Sequence, residues 1–265
     1  MSDSLETISI PAPGGGIRVA WGLPSKVGPH PVIVLLQDVF GLTEHLRGIG
    51  RRLVQEGFAV AIPDLYSRDP LRRELSDDDV AFGFPIFRQT DREAVYAALP
   101  ERRREVARQA VAWLDGRDTS RFLKDALATI AWVRGRPEVD SDHIGVLGFG
   151  VGGGLVGRLA VGRAPIAAGV VFYGQVPSES ETKSIRIPLL GHYAQNDPTI
   201  TPKVHGFSRE LALRSVPFAW TVHLGTSHGF FNDTRLAFHA PAAKVAWIDT
   251  LAFLHRYLPR RGVGE

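Results

Sequence analysis

Two side chains able to work as a pair stand far apart in this chain: Asp197, in QNDPTITP, and His228, in HGFFNDTR. An aspartate that fixes an imidazole, and an imidazole that takes a proton, are the usual means of activating a nucleophile. Ahead of both lies HIGVLGFGVGGGLVGR, residues 143–158, where Ile144, Val146 and Leu147 form a short apolar run. A knot of glycines follows, and then a helical pattern through Leu155, Leu159 and Val161. A strand, a sharp turn and a helix, with glycine on both sides of the turn, describe a nucleophile elbow of the form G-x-nucleophile-x-G. The flanking glycines are Gly148 and Gly152. The residue between them, where the attacking atom belongs, is Gly150, which has no side chain.

Taken singly these residues say little. An Asp in NDP is an ordinary turn former or helix-start residue, and a His beside Gly is an ordinary loop residue. Their joint placement carries the argument, because ligands in a doubly wound sheet sit beyond the carboxyl ends of the strands. Gln37-Asp38-Val39 follows the apolar run PVIVLL, Phe149-Gly150-Val151 follows HIGVLG, Asp197 follows IPLLGHY, and His228 follows AWTVHL. The other histidines (His30, His45, His143, His192, His205, His223, His239 and His255) lack such placement and read as structural or surface residues. Ser227 adjoins His228, but neighbours on a loop diverge, so it does not read as a replacement nucleophile.

The elements that must position these groups are legible from periodicity. Residues 7–10 and 17–21 read as a hairpin at a sheet edge, joined by a Pro/Gly turn. Residues 31–36 read as a strand buried on both faces. Thr43 opens a helical pattern with Leu46, Ile49, Leu53 and Val54 on one face, stopped by Gly57. Residues 58–62 are the next buried strand, and 70–118 are polar and helical, with Arg102, Arg103 and Arg104 expected on a solvated face. Phe122, Leu123, Leu127, Ile130, Ala131 and Trp132 mark an amphipathic helix before the elbow strand. Strands at 167–173, 187–193 and 218–224 and helices near 204–213 and 242–258 complete the chain, with the tail RRGVGE expected to fray. Strands alternating with helices over this length predict an α/β fold: a mostly parallel, doubly wound sheet with helices on both faces, in a single domain spanning 1–265.

Composition narrows the function classes. The 265 residues, 44% hydrophobic and 22% charged, are those of an ordinary globular chain large enough to bury a sizeable core. A net charge of +3, with basic residues scattered, gives no footprint for nucleic acid. The absence of cysteine rules out disulfides and thiolate metal sites. The N-terminus lacks a basic segment followed by an apolar one, and no run approaches a membrane span, so a cytoplasmic location and no membrane partner are expected.

Five motifs in order carry a resemblance: QDVFG, PDLYSR, GFGVGGG, Asp197 in QNDPTITP, and HGFFNDTR. Together they resemble the dienelactone hydrolase family, over nearly the whole chain from about residue 17 to 258. The elbow, then acid, then histidine order is that of α/β-hydrolase triads. The resemblance implies an α/β-hydrolase fold, a Cys-His-Asp triad, hydrolysis of small esters or lactones, and no metal or cofactor. Carried over by position, the acid is Asp197 and the base His228, and the N–H groups of Val151 and Val39 are the oxyanion donors. Asp38 takes the place of an acidic residue, usually Glu, that influences the resting thiol. The family's cysteine falls on Gly150. Arginines hold a substrate carboxylate in the family, and Asn232 occupies a slot where one of them can sit.

Glycine is physically tolerable at an elbow, since it visits positive φ freely where another residue pays on the order of 1–3 kcal/mol. Three readings follow. The nucleophile is engineered away to trap a substrate; or the chain is a naturally inactive binding or regulatory protein; or the Asp197–His228 dyad acts directly, without a covalent intermediate. The partner in each case is a small ester, lactone or related carbonyl compound. A remote alternative is a dinucleotide site, because Gly148, Gly150 and Gly153 spell G-x-G-x-x-G. That fingerprint normally opens the first βαβ unit and has an acid about 20 residues on; here it falls mid-chain, and the next strand ends in Phe172-Tyr173-Gly174-Gln175.

Overall fold

The computed structural model describes residues 5–260. The chain runs β1 (Glu6–Ile10), β2 (Ile17–Gly22), β3 (His30–Leu36), α1 (Glu44–Gln55), β4 (Ala59–Pro63), α2 (Pro70–Arg73), α3 (Asp77–Phe87), α4 (Arg92–Ala98), α5 (Glu101–Asp115) and α6 (Thr119–Arg134). It continues with β5 (Val139–Phe149), α7 (Val151–Val161), β6 (Ala168–Phe172), α8 (Glu179–Thr182), β7 (Leu189–Asn196), α9 (Thr201–Ala212), β8 (Phe218–Ser227) and α10 (Ala240–Tyr257). The strands form one eight-stranded sheet in the order β1-β2-β4-β3-β5-β6-β7-β8. The β1–β2 and β2–β4 pairs are antiparallel, and every other neighbouring pair is parallel.

The apolar run of β3 shows how the sheet is covered. Successive side chains on a strand point to opposite faces. Val32, Val34 and Leu36 accordingly belong to the core layer that also holds Ile130 and Val133 of α6, Leu155 and Leu159 of α7, and Val204 of α9. Ile33 and Leu35 pack on the other face with Leu46, Ile49 and Leu53 of α1 and Ala246 and Leu254 of α10. A run apolar at every position is what a strand between two helical layers requires.

Two expectations need correction, and a third falls almost wholly outside the described residues. The elbow strand begins at Val139, earlier than its main apolar run, because Val139 pairs with His30 and the polar residues 140–143 continue the strand. Arg104 is not on a solvated face: it donates to the carbonyls of Tyr96 and Leu99 and holds the end of α4. The tail expected to fray lies outside the described residues except Arg260, which donates to the carbonyl of Glu56.

At the elbow, β5 passes into α7 through Gly150, with φ 51° and ψ −110°. The turn is stitched on two sides: the Gly150 N–H donates to Phe172 O at 2.9 Å and the Gly152 N–H to Gln37 O at 3.1 Å. Helix α7 lies so close to the sheet that a Cβ on Gly148 would stand 2.3 Å from Gly152 O, and one on Gly153 2.9 Å from Gly174 Cα. These two glycines of the supposed dinucleotide fingerprint are therefore explained by strand–helix packing. At Gly150 the space is open, and a Cβ placed there would have no neighbour closer than 3.7 Å. Gly148→Ala is expected to cost about 3 kcal/mol or prevent folding, as overpacking against backbone does. Gly150→Ala is expected to cost only about 1 kcal/mol, the strain of a positive φ. Denaturant midpoints of the two variants check this, and equal losses would contradict the packing described.

Candidate active site

The ends of β3, β5, β7 and the edge strand β8 each contribute one group. From β7, Asp197 enters a turn in which its Oδ1 accepts the N–H groups of Thr199 at 3.2 Å and Ile200 at 3.3 Å. It is thus the turn former its local sequence suggests, and still has Oδ2 free to accept from His228 Nδ1 at 2.6 Å. Asp197 is almost wholly buried, whereas the His228 side chain is 20% exposed and faces a cavity. The expected pair is therefore brought together across 31 residues of sequence.

Gly150 lies beneath it. A Cβ built on Gly150 would stand 3.7 Å from His228 Nε2 and 3.7 Å from Asp38 Cβ. Asp38 thus reaches the site despite its short side chain, but both its oxygens are engaged. Oδ1 accepts the Phe40 N–H at 2.8 Å, and Oδ2 accepts the Asn232 amide at 3.3 Å. Val39 and Val151 line the same cavity. Among the described residues neither of their N–H groups has a protein acceptor. The cavity measures about 1000 Å³ and runs between α3, α7 and the segment after His228.

The two carboxylates are shifted in opposite directions. Burial pushes Asp197 up, but the hydrogen bond and charge of His228, the charge of Arg88 and the Thr199 N–H outweigh it, and its pKa lies below the usual carboxylate value. Burial pushes Asp38 up and prevails over the Phe40 N–H, the Asn232 amide and the more distant charges of His45 and Arg235.

Residues outside the sequence reading complete the site. Arg88, at the end of α3, stands 3.6 Å from Asp197 Oδ1 and donates to Thr199 Oγ1 at 3.3 Å. Tyr173, just past β6, has φ 40°, and its ring centre lies 5.0 Å from that of His228. Its hydroxyl is buried with no partner among the described residues, and burial, with the nearby Asp38 charge, raises its pKa well above the ordinary value. A non-glycine residue at positive φ beside a pocket is the kind of strain that gathers at functional sites. The histidines set aside are held elsewhere: His192 bonds His223 and Thr250 in the interior, His143 bonds Asp140, and His239 caps α10. His45 bonds Asp233 at 2.6 Å, next in sequence to Asn232. Ser227 is the exposed last residue of β8. Among the described residues no group of three or more His, Asp or Glu side chains is placed to hold a metal ion, and no helix is long and apolar enough to cross a membrane.

A parallel sheet with an elbow, an acid and a histidine at successive strand ends defines an α/β-hydrolase fold. The chain matches the dienelactone hydrolase family over residues 17–258 and belongs to it. A relative from Saccharolobus solfataricus named "Putative carboxymethylenebutenolidase" is 28% identical over 250 residues, covering 91% of this chain and 95% of the relative. Another from a Bradyrhizobium species, named "Probable 2-oxo-3-(5-oxofuran-2-ylidene)propanoate lactonase", is 24% identical over 257 residues, covering 92% of this chain and 91% of the relative. In fold the chain is similar to the crystal structure of a "Putative Dienelactone Hydrolase" from Klebsiella pneumoniae, with a TM-score of 0.73, 22% identity, and coverage of 95% of this chain and 98% of that one.

A carboxyl whose pKa folding lowers adds its full stability above its unfolded value of about 3.9, and loses it as the pH falls through the folded value. Asp197→Asn is therefore expected to destabilise the protein at neutral pH, by a margin that narrows below about pH 4. Urea midpoints of parent and variant between pH 7 and pH 3 measure this; a constant margin would contradict the balance described for Asp197.

Proposed function

We propose that the protein hydrolyses carboxylic esters or lactones with water, rather than a side chain, as the attacking group. The observation that carries this is the placement of His228 Nε2, 3.7 Å from where a Cβ on Gly150 would stand, while its other nitrogen is held by Asp197. The CH2SH group that glycine lacks is larger than one water, whose share of liquid volume is ~30 Å³, so glycine makes room for the nucleophile it does not supply. In this reading the water oxygen bonds to the acyl carbon as His228 Nε2 takes its proton. The N–H groups of Val39 and Val151 hold the carbonyl oxygen as it becomes anionic. The acyl C–O bond then breaks, and the leaving oxygen takes the proton back from His228. Asp197 orients the ring and balances its transient charge. The names of the relatives, a carboxymethylenebutenolidase and a lactonase, support a lactone as the substrate.

Rates separate this from the binding-protein reading. General-base assistance is worth about 10²–10⁴-fold, and a site lacking its covalent nucleophile retains about 10³–10⁴-fold over water. The protein as it stands is expected to hydrolyse a 4-nitrophenyl ester above the buffer rate, and His228→Ala to lose at least about 10²-fold. Gly150→Cys or Gly150→Ser is expected to raise turnover, with accumulation of an acyl-enzyme that the parent never forms. If the parent gives only the buffer rate while Gly150→Cys gains turnover that His228→Ala abolishes, the protein is a disarmed hydrolase that binds its ligand, and the water mechanism is wrong.

A further inference from the structure

The cleft over Gly150 is far larger than a simple lactone needs. At about 1000 Å³ it lies at the upper end of the range for drug-sized ligands, roughly 300–1,000 Å³. Its walls are apolar on both sides of His228. Helix α3 supplies Phe84 and Phe87, stacked with ring centres 6.2 Å apart and planes at 22°. Phe84 lies 6.2 Å from Phe40 and 6.3 Å from the His228 ring. The opposite wall is Leu155 and Val161 of α7, and Leu236 stands fully exposed at the rim. An exposed leucine beside an apolar cleft extends the apolar surface a ligand would meet.

Each charged side chain in the cleft has a protein partner, although the arginines keep further N–H donors. Arg88 is tied to Asp197 and Thr199. Arg117 donates to Leu114 O and lies 5.5 Å from the Phe87 ring centre. Arg158 donates to Thr119 O at 3.3 Å. Arg235 has its Cζ over Phe40, 4.1 Å from the ring centre, and pairs with Asp78 at 3.9 Å. Glu181 accepts from the Ser178 N–H and hydroxyl. At the slot nearest Asp38 the donor is the neutral Asn232 amide. A ligand carboxylate here would have to share an arginine already bonded to the protein, and along α3 it would meet an apolar wall, where an unpaired charge is costly.

We propose that the site takes a bulky, uncharged ester or lactone bearing a long alkyl or aromatic group, which lies along the Phe84–Phe87 shelf. This is a larger and less polar class than the small esters the sequence suggests. It rests on the reading that an ester or lactone sits over His228, and the test keeps the two apart by measuring binding as well as turnover.

The unmodified protein is titrated calorimetrically with δ-dodecalactone and δ-valerolactone, which share a ring and differ by an alkyl tail. It is also assayed with the 4-nitrophenyl esters of acetate, valerate and octanoate, and with 4-nitrophenyl hydrogen succinate. Dodecalactone is expected to bind at least about tenfold more tightly than valerolactone, octanoate to exceed acetate in kcat/KM by at least about tenfold, and the charged succinate to fall about tenfold below valerate. Phe84→Ala is expected to reduce the dodecalactone-to-valerolactone ratio at least about fivefold. Selective binding without turnover would uphold this substrate class and remove the hydrolytic reading. Turnover with no preference for bulk, or with succinate preferred, would leave hydrolysis standing and overturn the class. Failure to bind either lactone would overturn both.

Discussion

The site depends on one backbone constraint: the first turn of α7 is pinned between the ends of β3 and β6. The Gly152 N–H reaches Gln37 O and the Gly150 N–H reaches Phe172 O. Together they hold residue 150 at φ 51° under His228. No part of this arrangement uses the side chain of residue 150. A nucleophile can therefore be absent without loss of the elbow, because the strand–helix approach is secured by backbone hydrogen bonds and by Gly148 and Gly153 rather than by the reacting group. Stability and chemistry are carried by different atoms of the same turn.

The electrostatics around the turn follow from how many donors each carboxylate receives. Asp197 is buried, yet it accepts from His228 and from the Thr199 and Ile200 N–H groups and has the Arg88 guanidinium nearby. Charge-assisted bonds of this kind favour the ionised form. Asp38 receives one N–H and one amide, both neutral, and burial prevails. An arginine in place of Asn232 would add a full charge beside Asp38 and push its pKa the other way. The neutral amide leaves a carboxylate that ionises reluctantly at the cavity wall, while the one that ionises readily is buried behind His228. Environments that pull two acids apart in this way are common where proton transfers are organised.

The sheet and most of its helices were legible in the sequence because their signal is local. Alternation and apolar runs mark β3, β4, β6 and β7, and Thr43 caps α1 through its Oγ1 as its position before the helical pattern suggests. The four-residue α8 carried a readable sign as well, since Ser178 and Glu181 form a capping box, but so short a helix leaves no periodicity. The extension of β5 back to Val139 was hidden because a polar strand end has no apolar signature. The acid, the histidine and the elbow were legible through their strand ends, and the structure places them together. Arg88 and Phe84 were not. Residues 70–118 read as polar helix because their role depends on α3 folding over β7, a contact spanning more than a hundred positions that no local pattern encodes.

Helix α3 joins these threads. Phe84 faces the His228 ring, and Arg88, one turn further on, stands against Asp197. The same element thus supplies the apolar wall of the cleft and the cation that steadies its acid. An apolar wall beside a hydrogen-bonded dyad lowers the local dielectric and strengthens the Asp197–His228 interaction. It also offers water no hydrogen-bond partner along that side of the cleft. For a mechanism that uses water as the attacking group this restriction matters. A nucleophile drawn from solvent must be held singly between imidazole and acyl carbon, because a loose cluster would have to reorganise as charge develops, whereas fixed donors do not. In that proposed mechanism the apolar shelf and the missing side chain would be two parts of one arrangement: one gives bulk water few partners, and the other leaves a place for the molecule that attacks.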